Sequence, residues 1–152
     1  MQNKTKKENL VLNGASIFVL ARDGGYGYVD DDINDVTFKS DLANCGEWEW
    51  NLFEPECSID SDYAHAACST GGWRPATIHH LLVFGVKFPE AQKMNPIVAL
   101  GSRTYDAGLI HCVPMLDIGE GKRQLLLAAW AGEWTFDHRF LRVRWVSNLP
   151  LD

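Results

Sequence analysis

The acidic run DDDIND, which begins at Asp30, has the residue types and part of the spacing of a calcium-binding loop. Asp30, Asp32 and Asn34 reproduce the D-x-D-x-N pattern, in which alternate oxygen-bearing side chains converge on one hard cation. The sixth position of such a loop needs glycine and the twelfth needs glutamate, but here they are Asp35 and Asp41. These departures favour a solvated loop over a calcium site.

Histidine and cysteine residues provide no recognisable set of metal ligands. His79 and His80 are neighbours on a predicted helix, so their side chains point about 100° apart and cannot easily share an ion. The cysteines form no C-x-x-C pair, and without an export signal we expect reduced thiols. We therefore predict no metal site and no cofactor. The histidines are His65, His79, His80, His111 and His138, and the cysteines are Cys45, Cys57, Cys68 and Cys112.

Asp137 and His138 have the residue types of an acid–base pair. Neighbours in sequence rarely face each other, and no activated serine or cysteine can be placed beside them as a nucleophile. The glycine-rich stretch at residues 24–27 lacks the following helix that a dinucleotide-binding loop requires. We therefore predict no catalytic residue.

The most aromatic segment is residues 128–145, AAWAGEWTFDHRFLRVRW, with three Trp and two Phe. The segment is either the last hairpin of a buried sheet or a frame whose middle residues bind something. Trp130 and Trp134 are four residues apart, so in a continuous strand they would face one side. In residues 139–146 the side chains of odd-numbered and even-numbered residues would point to opposite faces of a strand. A half-buried strand would place one of these two sets inside.

Length and composition are those of one globular domain, with 152 residues, 46% apolar and 22% charged. Residues 1–9 are predicted to be a flexible polar tail and residues 10–152 a single domain. A net charge of −6 argues against a nucleic-acid partner. No apolar run approaches the roughly 20 residues of a membrane span, so we expect no membrane insertion. No signal peptide is recognised, and the default expectation is a cytoplasmic location, with other export routes left open.

The elements that must position these residues form an α+β pattern. The clearest helix spans residues 78–86, with Thr77 as N-cap and apolar residues at helical spacing. His80 stands where glutamate would complete a capping box, so the box is predicted to be incomplete. The other predicted elements are a buried strand at residues 15–22, a loop at 23–35, short strands or turns at 36–68, a short helix at 90–94, and strands at 97–100, 109–116, 123–130 and 139–146. Pro114 suggests an edge or a bulge, and residues 119–122 a turn.

Several ordered motifs resemble the variable proteins of diversity-generating retroelements. GWRPATIHHLL at residues 72–82 resembles the GWR-x-x-T-x-x-E-L segment of bacterial C-type-lectin-like domains, a superfamily that includes the formylglycine-generating-enzyme type. FGVKFPE, PIVALGS, W-x-x-x-W and RFLRV follow in the order of the variable proteins, over residues 84–143. The resemblance implies a C-type-lectin-like fold with a mixed or antiparallel sheet, adjacent N- and C-terminal strands, and one or two central helices.

The resemblance also implies a ligand-binding protein and not an enzyme, with an unidentified protein or glycan as ligand. Framework residues hold the surface and the positions between them are displayed. By position, the framework comprises Trp73, Arg74, Thr77, Trp130, Trp134, Arg139, Phe140, Leu141 and Val143. The displayed residues are Tyr105, Asp106, Ala129, Ala131, Gly132, Glu133, Thr135, Phe136, Asp137 and His138. Arg142 stands where a small residue is more usual, so the outer face of its strand is expected to be more polar.

Two alternatives remain open. An oxidase of the formylglycine-generating type would use the same fold. The resemblance to that type implies a copper-binding pair of cysteines near the C-terminal half, but only Cys112 lies in that half of this chain, so the pair is missing. A structural or assembly protein of a mobile element would instead use a large oligomer interface.

Overall fold

The computed structural model of the chain describes residues 7–149. Its elements in chain order are β1 (Leu10–Leu12), α1 (Ile17–Gly24), β2 (Tyr28–Val29), β3 (Gly46–Phe53), β4 (Ile59–Asp60), α2 (Ser61–Ala67), β5 (Arg74–Pro75), α3 (Ile78–Lys87), α4 (Ala91–Met94), β6 (Ile97–Val98), β7 (Thr104–Tyr105), β8 (His111–Gly119), β9 (Lys122–Ala129), β10 (Glu133–Trp134) and β11 (Arg139–Ser147). The molecule is mostly sheet with few helices, which confirms the predicted α+β class. Within the described residues, no helix has the length and apolar character needed to cross a membrane.

Nine strands form one mixed sheet, with the order β1-β3-β11-β6-β8-β9-β2 and with β5 and β7 paired to β11 and β8. Strand β11 is antiparallel to β3 and parallel to β6. Strands β10 and β4 form a separate small ladder. Both β1 and β11 pair with β3. The expected adjacency of the N- and C-terminal strands is therefore wrong in detail, because β3 lies between them.

The first half of β11 is buried on both faces. Phe140 and Leu141 point to opposite sides of the sheet, and each is 0% exposed. Leu141 belongs to the larger core with residues of α1 and α3, whereas Phe140 belongs to a smaller core with Ala64 of α2 and Trp134. The prediction that only one alternating set lies inside is therefore wrong here, because other elements cover both faces of the sheet.

Residues 15–22 lie largely in helix α1 and do not form the predicted strand. The Ser16 side chain caps the first turn, and the carboxylate of Asp35 accepts from its first two N–H groups at 2.7 and 3.2 Å. Gly25 ends the helix with a left-handed φ of 64°. Capping and the packing of one apolar face outweigh the weak strand preference of Ile, Phe and Val in this segment.

Helix α3 agrees with the predicted helix and begins after the predicted N-cap, Thr77. The Thr77 side chain accepts from the N–H of His80, and Nδ1 of His80 accepts from the N–H of Thr77 at 3.0 Å. The prediction of an incomplete capping box is therefore wrong, because an imidazole nitrogen replaces the expected carboxylate. Burial lowers the pKa of His80 to about 3, so the ring is neutral at neutral pH. The hydrogen bond from the Thr77 N–H then requires the tautomer with its lone pair on Nδ1.

Pro114 lies in β8, which is paired on both sides without a register shift, so the predicted edge or bulge is wrong. Its carbonyl accepts from the N–H of Ala99 at 3.1 Å, just after β6 ends. Strand β7 pairs with β8 only further along, opposite Cys112 and His111. Since the nitrogen and carbonyl of one strand residue point to the same side, the missing N–H of Pro114 falls in the gap between β6 and β7.

Residues 7–9, the end of the predicted tail, contact strand β3. The indole N–H of Trp50 donates to the carbonyl of Glu8 at 2.8 Å, and Nζ of Lys7 lies 3.8 Å from the centre of the Trp50 ring. Residues 1–6 of the predicted tail lie outside the described residues, as do residues 150–152.

Gly101 is required where the chain passes the start of α3. A Cβ on this residue would lie 2.6 and 2.7 Å from the carbonyl oxygens of Ala76 and Pro75. We expect Gly101→Ala to lower the free energy of unfolding by about 2–3 kcal/mol, because backbone atoms must move. Urea denaturation followed by circular dichroism measures the change.

Gly108→Ala is the matched control for Gly101→Ala. Its added Cβ would meet only a side-chain oxygen of Asp106 at 3.3 Å, and both substitutions restrict the unfolded chain equally. Equal losses of stability in the two variants would contradict the backbone clash at Gly101.

Candidate functional site

Residues 129–138, here called the terminal loop, run from the last residue of β9 to the start of β11 and contain β10. Strand β10 pairs with β4, with Glu133 opposite Asp60 and Trp134 opposite Ile59. Trp134 is buried, Trp130 and His138 are half-buried, and the remaining side chains are exposed. The exposed positions are Ala129, Ala131, Gly132, Glu133, Thr135, Phe136 and Asp137. Phe136 is 64% exposed.

One hydroxyl group connects the two tryptophans of the terminal loop. The indole N–H of Trp134 donates to Oγ of Ser61 at 2.8 Å, and that hydroxyl donates to the carbonyl of Trp130 at 2.6 Å. Ser61 is the first residue of α2 and is 2% exposed. The Trp134 ring also packs edge-on against Phe140 and His138. The exposed residues of the loop are therefore attached to a buried point on a different element.

A tight turn forms the second half of the terminal loop. The N–H of His138 donates to the carbonyl of Thr135 at 3.1 Å, and Arg139 donates from Nη1 to the carbonyl of Phe136 at 2.9 Å. Asp137 and His138 do approach each other, with Nδ1 and Oδ1 3.3 Å apart, contrary to the expectation for sequence neighbours. The Thr135 hydroxyl donates to the Asp137 carboxylate and, with His138, lowers the pKa of Asp137. The side chains of Thr135 and Asp137 both lie beside Nδ1 of His138. This arrangement stabilises a turn and does not resemble a catalytic triad.

Three stacked rings, here called the aromatic ladder, lie beside the terminal loop. They belong to Tyr105 of β7, His111 of β8 and Trp130, which follows β9. The ring centres of Tyr105 and His111 are 5.2 Å apart, and those of His111 and Trp130 are 5.5 Å apart, with interplanar angles of 25° and 22°. The guanidinium of Arg103 lies 3.7 Å from the centre of the Trp130 ring. The ladder connects the predicted surface residue Tyr105 to the terminal loop.

His111 and Arg103 were missed by the sequence analysis. Tyr105 pairs with His111 across β7 and β8, and the N–H of Trp130 donates to the carbonyl of His111. The rings of Tyr105, His111 and Trp130 lie in one row because of the pairing of β7 with β8 and of β8 with the end of β9. The alternation of Arg103 and Tyr105, two residues apart, was the one available signal, since such residues share a strand face.

Asp106, a predicted surface residue, holds the turn between β7 and β8. Its Oδ1 accepts from the N–H groups of Gly108 and Ile110, both at 2.9 Å. The turn places Leu109 at a positive φ of 62° with 81% of its surface exposed. Asp106 is half-buried, and its carboxylate is hydrogen-bonded to the backbone of the turn. The exposed side chains here are therefore those of Tyr105, Leu109 and Ile110.

The chain matched no protein-family model, no curated protein and no solved structure.

The predicted framework residues before α3 lie at a different part of the sheet. Trp73 is contacted by the guanidinium groups of Arg142 and Arg144, at 5.0 and 4.4 Å from its ring centre. The guanidinium of Arg74 lies 4.2 Å from the ring centre of Trp48. Two arginines of β11 thus pack on Trp73, and one of them, Arg144, is also paired with Glu49.

The side chains considered as metal ligands serve structural roles. Asp30 accepts from the N–H of Asp32, Asp35 caps α1, and Asp32 accepts from the N–H of Ala107. Among residues 7–149, no three His, Cys, Asp or Glu side chains lie close enough together to hold a metal ion.

The four cysteines are free thiols. Cys112 is buried and its thiol donates to the carbonyl of Ile110, and burial, followed by the charge of Asp106, raises its pKa. Burial raises the pKa of Cys68 to about 12. The thiols of Cys68 and Cys112 are therefore protonated and poorly nucleophilic at neutral pH.

Proposed function

We propose that the chain is a ligand-binding protein whose terminal loop and aromatic ladder form one recognition surface. The proposal includes a C-type-lectin-like scaffold of the kind found in the variable proteins of diversity-generating retroelements. The observation that carries it is the attachment of exposed side chains to a buried anchor. Glu133, Thr135 and Phe136 are exposed, while Trp134 between them is 6% exposed and hydrogen-bonded to Ser61. Such an arrangement lets surface residues change without loss of the fold.

The composition of the surface supports another protein as the ligand. Tyr, Trp and Arg are the residues most enriched where proteins bind each other tightly, and small residues between them adapt to a partner. A glycan stacks on the free face of an aromatic ring, and His111 and the guanidinium of Arg103 already pack against Trp130. Within this surface the exposed rings of Tyr105 and Phe136 would remain for a sugar. Tyr105, Leu109, Ile110 and Phe136 add exposed apolar area.

The test compares binding by the wild type with that of a double variant, Tyr105→Ala with Phe136→Ala. Ligands come from a displayed protein and peptide library and from a glycan array. We expect protein ligands whose Kd rises at least tenfold in the double variant, since a central aromatic residue contributes about 1–2 kcal/mol. The melting temperature should change little, because both side chains are more than half exposed.

Val36→Ala with Met94→Ala is the matched control, because these residues are 87% and 82% exposed and lie outside the surface. Ligands that bind both double variants equally well would contradict the proposal. Selection of glycans alone would contradict the choice of a protein ligand.

A second test concerns the retroelement relationship. We expect the DNA beside the coding sequence to contain a reverse transcriptase and a near-identical copy of the segment that encodes residues 129–138. Differences between the two copies should fall on codons for exposed residues and spare those for Trp130 and Trp134. Differences spread evenly over buried and exposed codons would contradict diversification of this surface.

A further inference from the structure

Strand β9 has one edge that the rest of the sheet covers only in part. Strand β8 pairs with β9 along its whole length, from Lys122 to Ala129. On the other side, β2 pairs with β9 only at Gln124 and Leu125, and the N–H of Asp30 adds one bond to the carbonyl of Leu125. Beyond Leu125, this second edge of β9 has no neighbouring strand in the described part of the chain.

The hydrogen bonds of the β8–β9 hairpin show which backbone groups point to the open edge. The N–H of Trp130 donates to the carbonyl of His111. The even-numbered residues of β9 therefore bond to β8, and the odd-numbered residues point away from it. Leu127 and Ala129 thus direct their N–H and C=O groups outward, and among residues 7–149 no backbone or side-chain group bonds to them.

The open edge leads directly into the recognition surface. Ala129 is exposed and is the first residue of the terminal loop, and Trp130 of the aromatic ladder follows it. Residues 125–129, with the sequence LLLAA, contain no charged side chain, proline or bulge, which are the features that usually prevent pairing at an edge. The complement of such an edge is an extended segment, whose own backbone supplies the missing donors and acceptors.

The charge beside the edge indicates the composition of that segment. Asp30, Asp31 and Asp32 follow β2, and the bond from the Asp30 N–H to Leu125 places this acidic run beside β9. No Lys or Arg of the described residues forms an ion pair with any of the three carboxylates. Basic side chains of an incoming segment complement them. A second copy of this edge brings no such side chain, because residues 125–131 contain no Lys or Arg.

We infer that the open edge of β9, at Leu127 and Ala129, binds an extended basic segment of a partner protein, which joins the sheet as an additional strand. The inference rests on the proposed function and specifies the form of its ligand. Every second residue of the segment bonds to the edge, its Lys or Arg side chains approach the acidic run, and its end reaches Trp130.

The experiment selects ligands for the wild-type chain from a displayed library of short linear peptides and measures the Kd of the enriched peptides. We expect sequences rich in Lys and Arg, with a Kd that rises as sodium chloride is added. Ala129→Pro removes an N–H that points away from β8, and it should raise the Kd at least tenfold. Asp31→Asn should raise the Kd about threefold, the effect of one exposed charge.

Two synthetic forms of the tightest peptide keep the test decisive if Ala129→Pro alters the fold. One form carries N-methyl groups on the odd-numbered backbone nitrogens of the peptide, and the other carries them on the even-numbered nitrogens. Because an edge strand bonds to alternate residues of an added strand, one form should lose binding and the other should keep it. Equal binding of the two forms would overturn the inference.

Glu120→Gln is the matched control for Asp31→Asn, because Glu120 is exposed and lies in the turn at the opposite end of the β8–β9 hairpin. Its Kd should equal that of the wild type. Selection of acidic peptides would overturn the inference. Peptides that depend on Tyr105 and Phe136 but bind Ala129→Pro as tightly as the wild type would overturn it too, and the proposed function would stand. If no peptide is selected while folded proteins bind through Tyr105 and Phe136, again only the inference fails; if neither is selected, both fail.

Discussion

Replacing Trp134 with alanine is expected to lower the free energy of unfolding by about 3–5 kcal/mol, the usual cost of removing a large buried aromatic side chain. Trp134 is 6% exposed and packs against Phe140 within the smaller core. The substitution also removes the hydrogen bond from the indole N–H to Ser61. For a domain of this size, the melting temperature should fall by about 10 °C. Urea denaturation and a thermal melt, both followed by circular dichroism, measure these changes.

Two further substitutions separate the causes. Ser61→Ala leaves the Trp134 indole in place but removes the partner of its N–H and of the Trp130 carbonyl. It should cost about 2 kcal/mol, because two buried polar groups lose their partner. Phe136→Ala, two residues from Trp134 but exposed, should change stability by no more than about 0.5 kcal/mol. If Trp134→Ala cost as little as Phe136→Ala, the terminal loop would have no buried anchor.

Acidification from pH 7 to pH 5 is expected to reduce stability by about 2 kcal/mol through His80 alone. Its pKa is about 3 in the folded protein, because burial disfavours the charged ring, and about 6.5 in the unfolded chain. Between these two values the unfolded chain binds more protons than the folded protein. The stability contributed by neutral His80 is therefore complete above pH 6.5 and decreases as the pH falls, by about 1.4 kcal/mol per pH unit. His79, whose pKa is also lowered by burial, changes stability in the same direction.

The measurement is urea denaturation at pH 7, 6 and 5, a range in which ordinary carboxylates stay ionised. His80→Gln is the matched variant, because glutamine keeps an acceptor for the Thr77 N–H but does not titrate. The variant should be less stable at pH 7 and should lose less stability between pH 7 and pH 5. Parallel pH dependences of the two proteins would show that His80 is not the titrating group.

Local patterns were sufficient for part of this fold. The apolar spacing from Ile78 and the N-cap Thr77 predicted α3, and the turn at residues 119–122 predicted the hairpin of β8 and β9. Both signals lie within a few residues of the structure that they specify. Helix α1 has local signals in its N-cap Ser16 and its terminal Gly25, but Ile, Phe and Val at residues 17–19 favoured a strand. Its second cap, Asp35, lies 18 residues from the N–H that it accepts from. Helix α2 was missed because it has seven residues, and its N-cap Asp60 stands in a segment without a clear periodic pattern.

The candidate site shows the same division. The aromatic and small residues of the terminal loop indicated an unusual segment, but their spacing could not show that Trp134 reaches Ser61 on a different element. Likewise, the row formed by Tyr105, His111 and Trp130 depends on the register of three strands. Register follows from the packing of the whole sheet and is not encoded in any short window of sequence.

Strand β11 is the last strand among the described residues and lies near the middle of the sheet. It joins residues far apart in sequence, such as Glu49 and Arg144, which are 95 positions apart. During synthesis, β3 and β6 must wait with open edges until residues 139–147 leave the ribosome, and open edges invite pairing with other chains. Folding is therefore expected to be slow, with a nascent chain that benefits from chaperones until β11 is inserted.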